Sequence, residues 1–446
     1  MRKILLAVLA ISFAHGFAAE RYKDRLFDVD VQKDVVYASG VNHLSALSKL
    51  SITLSALASA NGGTMVYIYD NEEDMQPIDL HMDIYSPKGD SENKRPAVLV
   101  LHGGAFAAGA KDDMDQQSVT YCDSLAARGF VTAAVQYRLG ITAKTENMYI
   151  SIDSANFSRT VYRGIQDVRA ALRYMRANAN NLGIDPDRIY LLGNSAGAVL
   201  SLENIYVDKA SEIPAVAKEN PQLGGLDEYG VKGSNSEANG VVALWGGIHD
   251  VSIIEGKATP VLLVHGTADS TVLFKTGRPL GNISATFENV MPSMFASAGS
   301  LTVDVKAPTL YGSFVIDSVL KAKGIEHETY FVEGMSHEFY DDGDYDVKVK
   351  EKVFGFLYGL TQKPAMASVR AVVLAKASRI RMGEGNLSFT LGLGKDAQYA
   401  VMDMRGRKVM QGIAAAGESV DLSGLNSGVY VLNVRGERPV RFGLSK

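Results

Sequence analysis

Ser195 stands in Gly193-Asn-Ser-Ala-Gly197, directly after the apolar run Ile189-Tyr-Leu-Leu192 and just before Ala198 and Val199. A buried strand that runs into G-x-S-x-G and then into a small-residue helix start makes a turn too tight for a Cβ at either flank. Glycines 193 and 197 meet that demand. The turn lifts the hydroxyl out of the sheet and sets the following backbone N–H groups, Ala196 first, beside it at a helix N-terminus. Such a place suits a nucleophile whose intermediate is an oxyanion.

A serine hydroxyl needs an adjacent base, and the base needs an orienting acid. Behind a serine elbow these follow in the order acid, then histidine. Asp269 lies four residues past the apolar strand Val261-Leu-Leu-Val-His265, and His337 lies five past Glu328-Thr-Tyr-Phe-Val332. Both stand at the carboxyl ends of strands, where the functional loops of a parallel sheet sit. Asp250, in Trp245-Gly-Gly-Ile-His-Asp250, is the second candidate for the acid. A fourth element is Leu99-Val-Leu-His-Gly-Gly-Ala-Phe106, glycines after a buried strand that let backbone N–H groups approach a substrate oxygen. Gly104 and Ala105 join Ala196 as the expected oxyanion donors, with Gly103 permitting the turn and His102 bracing it.

The elements that must hold these residues alternate between strand and helix from Pro96 onward, the signature of a mostly parallel sheet covered on both faces. Strands are expected at 96–101, 130–137, 189–192, 241–245, 261–265 and 328–332, about eight in all once two leading antiparallel strands, 65–69 and 78–85, are added. A helix through 115–128 precedes the second. Ile165, Val168, Leu172, Met175 and Leu182 make an apolar helical stripe, with Arg169, Arg173 and Arg176 expected on the wet face. Residues 140–160 and 274–311 break the alternation and read as lids or binding loops, the latter with no recognisable element. The leucines at 44, 47, 50, 54 and 57 have near-helical spacing in a segment otherwise hard to place.

With 446 residues, 46% hydrophobic and 21% charged, the chain can bury a large core and a second small one. A net charge of −5 argues against nucleic acid as a partner. Met1-Arg-Lys, the apolar run Ile4 to Phe13 and small residues to Ala19 have the layout of a secretory signal peptide, with cleavage expected between Gly16 and Glu20 and no transmembrane anchor. Cys122 is the only cysteine, so no intramolecular disulfide accompanies export, and a buried thiol is expected. The expected organisation is a signal peptide at 1–19, a catalytic domain at 20–362, a linker at 363–385 and a β-rich module at 386–446, where short strands alternate with glycine turns. There is no phosphate loop, no H-E-x-x-H and no histidine spacing suited to a metal.

Taken together, His102-Gly-Gly, Tyr137-Arg-Leu139, Ile184-Asp-Pro-Asp-Arg-Ile189, the serine elbow, His265-Gly-Thr-Ala-Asp269 and Gly334-Met-Ser-His337 resemble the α/β-hydrolase superfamily. Within it the chain is similar to the esterase and lipase branch related to hormone-sensitive lipase and carboxylesterases, across roughly 79–360. That resemblance implies a Ser195–Asp269–His337 triad, an acyl-enzyme intermediate, an ester substrate and no metal or cofactor. Ala105 departs from the glycine common in the lipase group. The C-terminal stretch, with Met404-Arg-Gly-Arg-Lys-Val409, Asp421-Leu-Ser-Gly-Leu-Asn-Ser-Gly-Val-Tyr-Val431 and a final Lys446, is similar to sorting domains of the type IX secretion system, though a carbohydrate-binding or spacer module is the alternative. This resemblance implies outer-membrane passage, the secretion machinery as partner, and a secreted or cell-surface destination. Short-chain or aryl esters are the expected substrates. The alternatives are an acetyl or feruloyl esterase acting on plant-polysaccharide-linked esters, a peptidase or amidase with the same triad, and a catalytically dead hydrolase fold used for binding.

Overall fold

The computed structural model describes residues 19–363 apart from 45–66, 70, 73–74, 114–116, 147–148, 256, 281–283, 288–300 and 342. Beyond 379 it describes 380–382, 388–391, 397–403, 407–414, 419–422, 424–426, 428–434 and 440–444. The expected leader through Ala18, the leucine segment from Leu47 to Leu57 and most of the expected linker lie outside the described residues. The chain divides into two compact units, Met1–Pro364 and Ala365–Lys446.

Eight strands make the sheet of the first unit: β1 (Val29–Leu44), β2 (Met75–Pro87), β3 (Arg95–Leu101), β4 (Val131–Val135), β5 (Ile184–Asn194), β6 (Val241–Leu244), β7 (Val261–Gly266) and β8 (His327–Val332). Their spatial order is β1-β2-β4-β3-β5-β6-β7-β8. β1 and β2 pair antiparallel, β2 joins β4 antiparallel, and the remaining pairs are parallel. All seven residues of β3 are buried, as expected of a strand covered on both faces. Alternate residues feed opposite cores: Leu99, Leu101, Leu191 and Leu263 pack on one side, Val98, Val100, Leu192 and Val264 on the other. The first core is closed by α2 (Ser154–Ala177), α3 (Ala196–Tyr206) and α4 (Ser313–Lys323), the second by α1 (Ser118–Ala126) and α5 (Tyr345–Gln362). Cys122 of α1 is buried in the second.

Four details depart from the sequence expectations. The leading antiparallel partner is β1, while Ile68–Tyr69 pairs in parallel with Ile141–Thr142 in a separate two-stranded sheet. Irregularities in the register between Gln32 and Val41 break the alternation that would have marked β1. Within the two interrupting segments, described strands pair with each other: Ser284–Phe287, Leu301–Val305, Tyr149–Ile152 and Lys144–Glu146 form one four-stranded sheet, with Leu301–Val305 and Tyr149–Ile152 parallel. A third segment, 207–240, carries three short 3₁₀ turns and lies over α2. It buries Arg169 and Arg173, which are therefore not on a wet face, and gives both of them Asp227 as partner. Arg176 reaches the same segment through the Asn235 carbonyl.

In the second unit, Ile380–Met382, Ser388–Leu391 and Ser419–Asp421 form one antiparallel sheet, so the strand begins inside the stretch expected to be linker. Lys408–Ala414, Ala397–Asp403, Gly428–Val434 and Val440–Leu444 form a second. Val401, Leu422, Tyr430, Leu432 and Phe442 make its core.

Candidate active site

β5 ends at Asn194 and α3 starts at Ala196, leaving Ser195 alone at the turn with φ 51° and ψ −117°. This left-handed backbone is rare outside glycine, and it is held by close packing on both sides. A Cβ on Gly193 would sit 2.2 Å from the Gly197 carbonyl oxygen, and one on Gly197 would sit 2.2 Å from that of Leu101. Ser195 N–H donates to the Leu244 carbonyl at 2.9 Å, tying the elbow to β6.

The loop after β8 brings His337 to the serine. Its Nε2 lies 2.9 Å from Ser195 Oγ and its Nδ1 lies 2.7 Å from Asp269 Oδ2. Thus three residues from the ends of β5, β7 and β8 form one hydrogen-bonded line. Asp250 stands elsewhere: its carboxylate caps a turn by accepting from Ser252 N–H at 2.8 Å.

Asp269 is held by four donors. Thr271 and Val272 N–H groups reach Oδ1 at 2.8 and 3.0 Å, while His265 Nε2 shares Oδ2 with His337 at 3.0 Å. Burial opposes the charge, but the hydrogen bonds from His265 and His337 prevail and hold this carboxyl at about 2. His265 Nε2 also meets the Val272 carbonyl at 2.9 Å, so that nitrogen carries the proton, and Nδ1 meets Ser313 Oγ at 2.8 Å. The sequence reading places His265 at the end of a buried strand and at the head of His265-Gly-Thr-Ala-Asp269 without giving it a role; its spacing of four from Asp269 on the turn after β7 was the available signal.

A cavity of about 340 Å³ opens beside the serine, lined by Ala105, Ser195, Ala196 and Val199 together with Phe106 and Phe157. Ala196, the first residue of α3, has no carbonyl one turn back for its N–H. Ala105 and Phe106 have φ of 50° and 62°, which turns the loop after β3 toward the same space. Gly104 is not among the lining residues; its carbonyl takes the N–H groups of Ala107 and Ala108, and at φ 100° a Cβ there would meet the Ala108 oxygen at 2.2 Å. His102 is fully buried and stacks on Tyr137 with ring centroids 4.4 Å apart. Tyr137 Oη donates to the His102 and Gly103 carbonyls at 2.8 and 3.1 Å, fixing the loop's entry. Burial drives the His102 imidazole down to about 4, so it stays neutral.

Behind this loop Arg138 and Asp167 are both fully buried and paired at 2.8 Å. Asp167 also accepts the Arg138 backbone N–H at 2.7 Å, which locks the chain leaving β4 onto α2. A second charged pair, unmarked in the sequence reading, joins Glu203 of α3 to His249 at 2.9 Å. Burial resists the charge on His249, yet Glu203 beside it lifts the imidazole to about 9.

The strand order with its serine elbow and following acid and histidine decides the architecture. The fold is an α/β-hydrolase. Residues 82–224 match the BD-FAE family, and residues 383–440 match the secretion system C-terminal sorting domain, the sorting module of type IX secretion. The chain is 32% identical over 164 residues to the fumonisin B1 esterase of Sphingopyxis macrogoltabida, which covers 36% of this chain and 29% of that enzyme. It is 31% identical over 121 residues to the para-nitrobenzyl esterase of Bacillus subtilis, covering 27% and 23%. The alignments thus span less than a third of these relatives. A propionate-bound thermophilic esterase from the planctomycete Thermogutta terrifontis is 22% identical, covering 64% of this chain and 90% of that one with a TM-score of 0.41. Among the described residues, no helix is long and apolar enough to cross a membrane.

Proposed function

We propose that the protein is an exported serine carboxylic ester hydrolase. Ser195 Oγ attacks the ester carbonyl while His337 Nε2 takes its proton; Asp269 holds the proton on Nδ1 and steadies the imidazolium that forms. The amides of Ala196 and Ala105, with Gly104 next in the loop, stabilise the oxyanion; removing one such donor typically costs ~3 kcal/mol of barrier. His337 returns its proton to the leaving alcohol, then activates a water that releases the acid from Ser195. The unbroken line from Ser195 through His337 to Asp269, beside a cavity that Ala105 and Ala196 share, is the observation that carries this reading. The leader-like N-terminus and the sorting domain support export and release or surface attachment.

The walls of the catalytic cavity are apolar, which supports acyl groups without charge near the carbonyl. Ser195→Ala is expected to abolish turnover of p-nitrophenyl acetate while circular dichroism stays unchanged. Turnover retained in the pure variant would remove Ser195 from the chemistry.

A further inference from the structure

A second cavity, of about 460 Å³, lies along α3 next to the catalytic one, and Phe157, Val199 and Leu310 line both. Ser195, Val199 and Glu203 recur at intervals of four, so they follow one another down a single face of this helix. At ~1.5 Å of rise per residue, Glu203 stands ~12 Å beyond the serine along the axis. The walls of the second cavity are mainly apolar, with Ile165, Val207, Ile213 and Pro214 prominent. Glu203 and His249 interrupt them, as do Ser158 and Tyr162, whose hydroxyls donate to the Ser154 and Gly224 carbonyls.

A buried ion pair in an apolar wall is weak support for stability, because well-packed apolar residues of similar volume do as well or better. Its hydrogen bonds show instead what it can still receive. His249 has no free donor: Nδ1 is spent on Glu203, and Nε2 lies 2.9 Å from the Glu212 carbonyl. Glu203, 1% exposed, accepts the His249 backbone N–H at Oε1, 2.8 Å away, and the Nδ1–H through both oxygens, so of a carboxylate's about four acceptor positions one, on Oε2, is left. The remaining capacity is therefore for a donor. Because the pair is already neutral overall, a cation arriving there would leave an uncompensated charge, whereas a hydroxyl would not.

We propose that the second cavity is a distal subsite for the acyl group, and that it selects long apolar acyl chains ending in a hydroxyl, which donates to Glu203. This rests on Ser195 as the nucleophile, with the chain passing between Phe157, Val199 and Leu310.

The test measures binding in Ser195→Ala protein, where turnover plays no part, by calorimetry with methyl 10-hydroxydecanoate, methyl decanoate and the methoxy-ended analogue. The hydroxylated ester should bind tenfold or more tightly than either of the others, the effect of one hydrogen bond to a charged group. Adding Glu203→Leu and His249→Leu should remove that preference. Adding Glu203→Gln alone, which can turn an amide N–H to the cavity, should close the gap between the hydroxyl and methoxy ligands. Equal binding of all three esters to Ser195→Ala protein, or a hydroxyl preference that survives both sets of changes, would overturn the subsite. Turnover of p-nitrophenyl acetate by the unaltered protein reads the esterase proposal separately.

Discussion

Replacing Asp269 by Asn changes one atom's chemistry at the point where the relay is anchored. Oδ1 accepts two backbone N–H groups, from Thr271 and Val272, so the amide oxygen of an asparagine must take that side. The amide NH₂ then falls where Oδ2 was, facing His265 Nε2 and His337 Nδ1. His265 keeps its proton on Nε2 for the Val272 carbonyl, so His337 must accept at Nδ1 and carry its own proton on Nε2. In that tautomer it has no lone pair for Ser195. The same wrong-tautomer change in a serine protease triad lowers kcat about 10⁴-fold, or ~5 kcal/mol of barrier. A comparable loss is expected here in kcat for p-nitrophenyl acetate at pH 7–8, with KM little changed. An Asp269→Asn enzyme within tenfold of the unaltered one would refute the reasoning about tautomers, even if Ser195 remained essential.

Other expectations follow from neighbouring contacts. Asp167→Asn leaves the buried Arg138 guanidinium without its counter-charge and should cost about 3–5 kcal/mol in urea unfolding; a loss under 1 kcal/mol would deny that pair its structural role. Gly193→Ala puts a methyl group against the Gly197 carbonyl, so soluble variant protein should have lost at least a hundredfold in kcat/KM, and wild-type rates would contradict the tight elbow. The pH dependence has a definite sign at His249. Its folded value, about 9, exceeds its ordinary 6.5, so the Glu203 pair contributes fully below pH 6.5 and fades as pH rises through 9. Worth ~3 kcal/mol at most, this should appear as a fall in Tm across that window that Glu203→Leu/His249→Leu protein lacks; parallel Tm profiles would refute it.

The hydrogen-bonded constellation of Ser195, His337 and Asp269 was legible because each member is announced locally: a glycine-flanked serine after a strand, and an acid and a histidine just past two later strands. Each strand end is set by a short apolar run, and parallel pairing then brings the three together at one edge. What escaped the sequence depends on contacts between distant segments. Tyr149–Ile152 pairs with Leu301–Val305 across about 150 residues, and nothing within either segment specifies that partner. Arg169 and Arg173 look solvent-facing because arginine usually is, until residues 207–240 cover them with Asp227 in place. Bulges hid β1 by breaking its period of two. His265 and Glu203 were given no role because each sits inside an apolar element whose burial suffices to explain it.

The most direct measurement is peptide mapping after treatment with a fluorophosphonate probe, which reacts with a serine only when a base activates it. Ser195 lies in hydrogen-bond reach of His337, so the account predicts one adduct, on the peptide carrying Ser195, that disappears in His337→Ala protein. An unlabelled Ser195 in folded protein, or labelling that persists without His337, would contradict it.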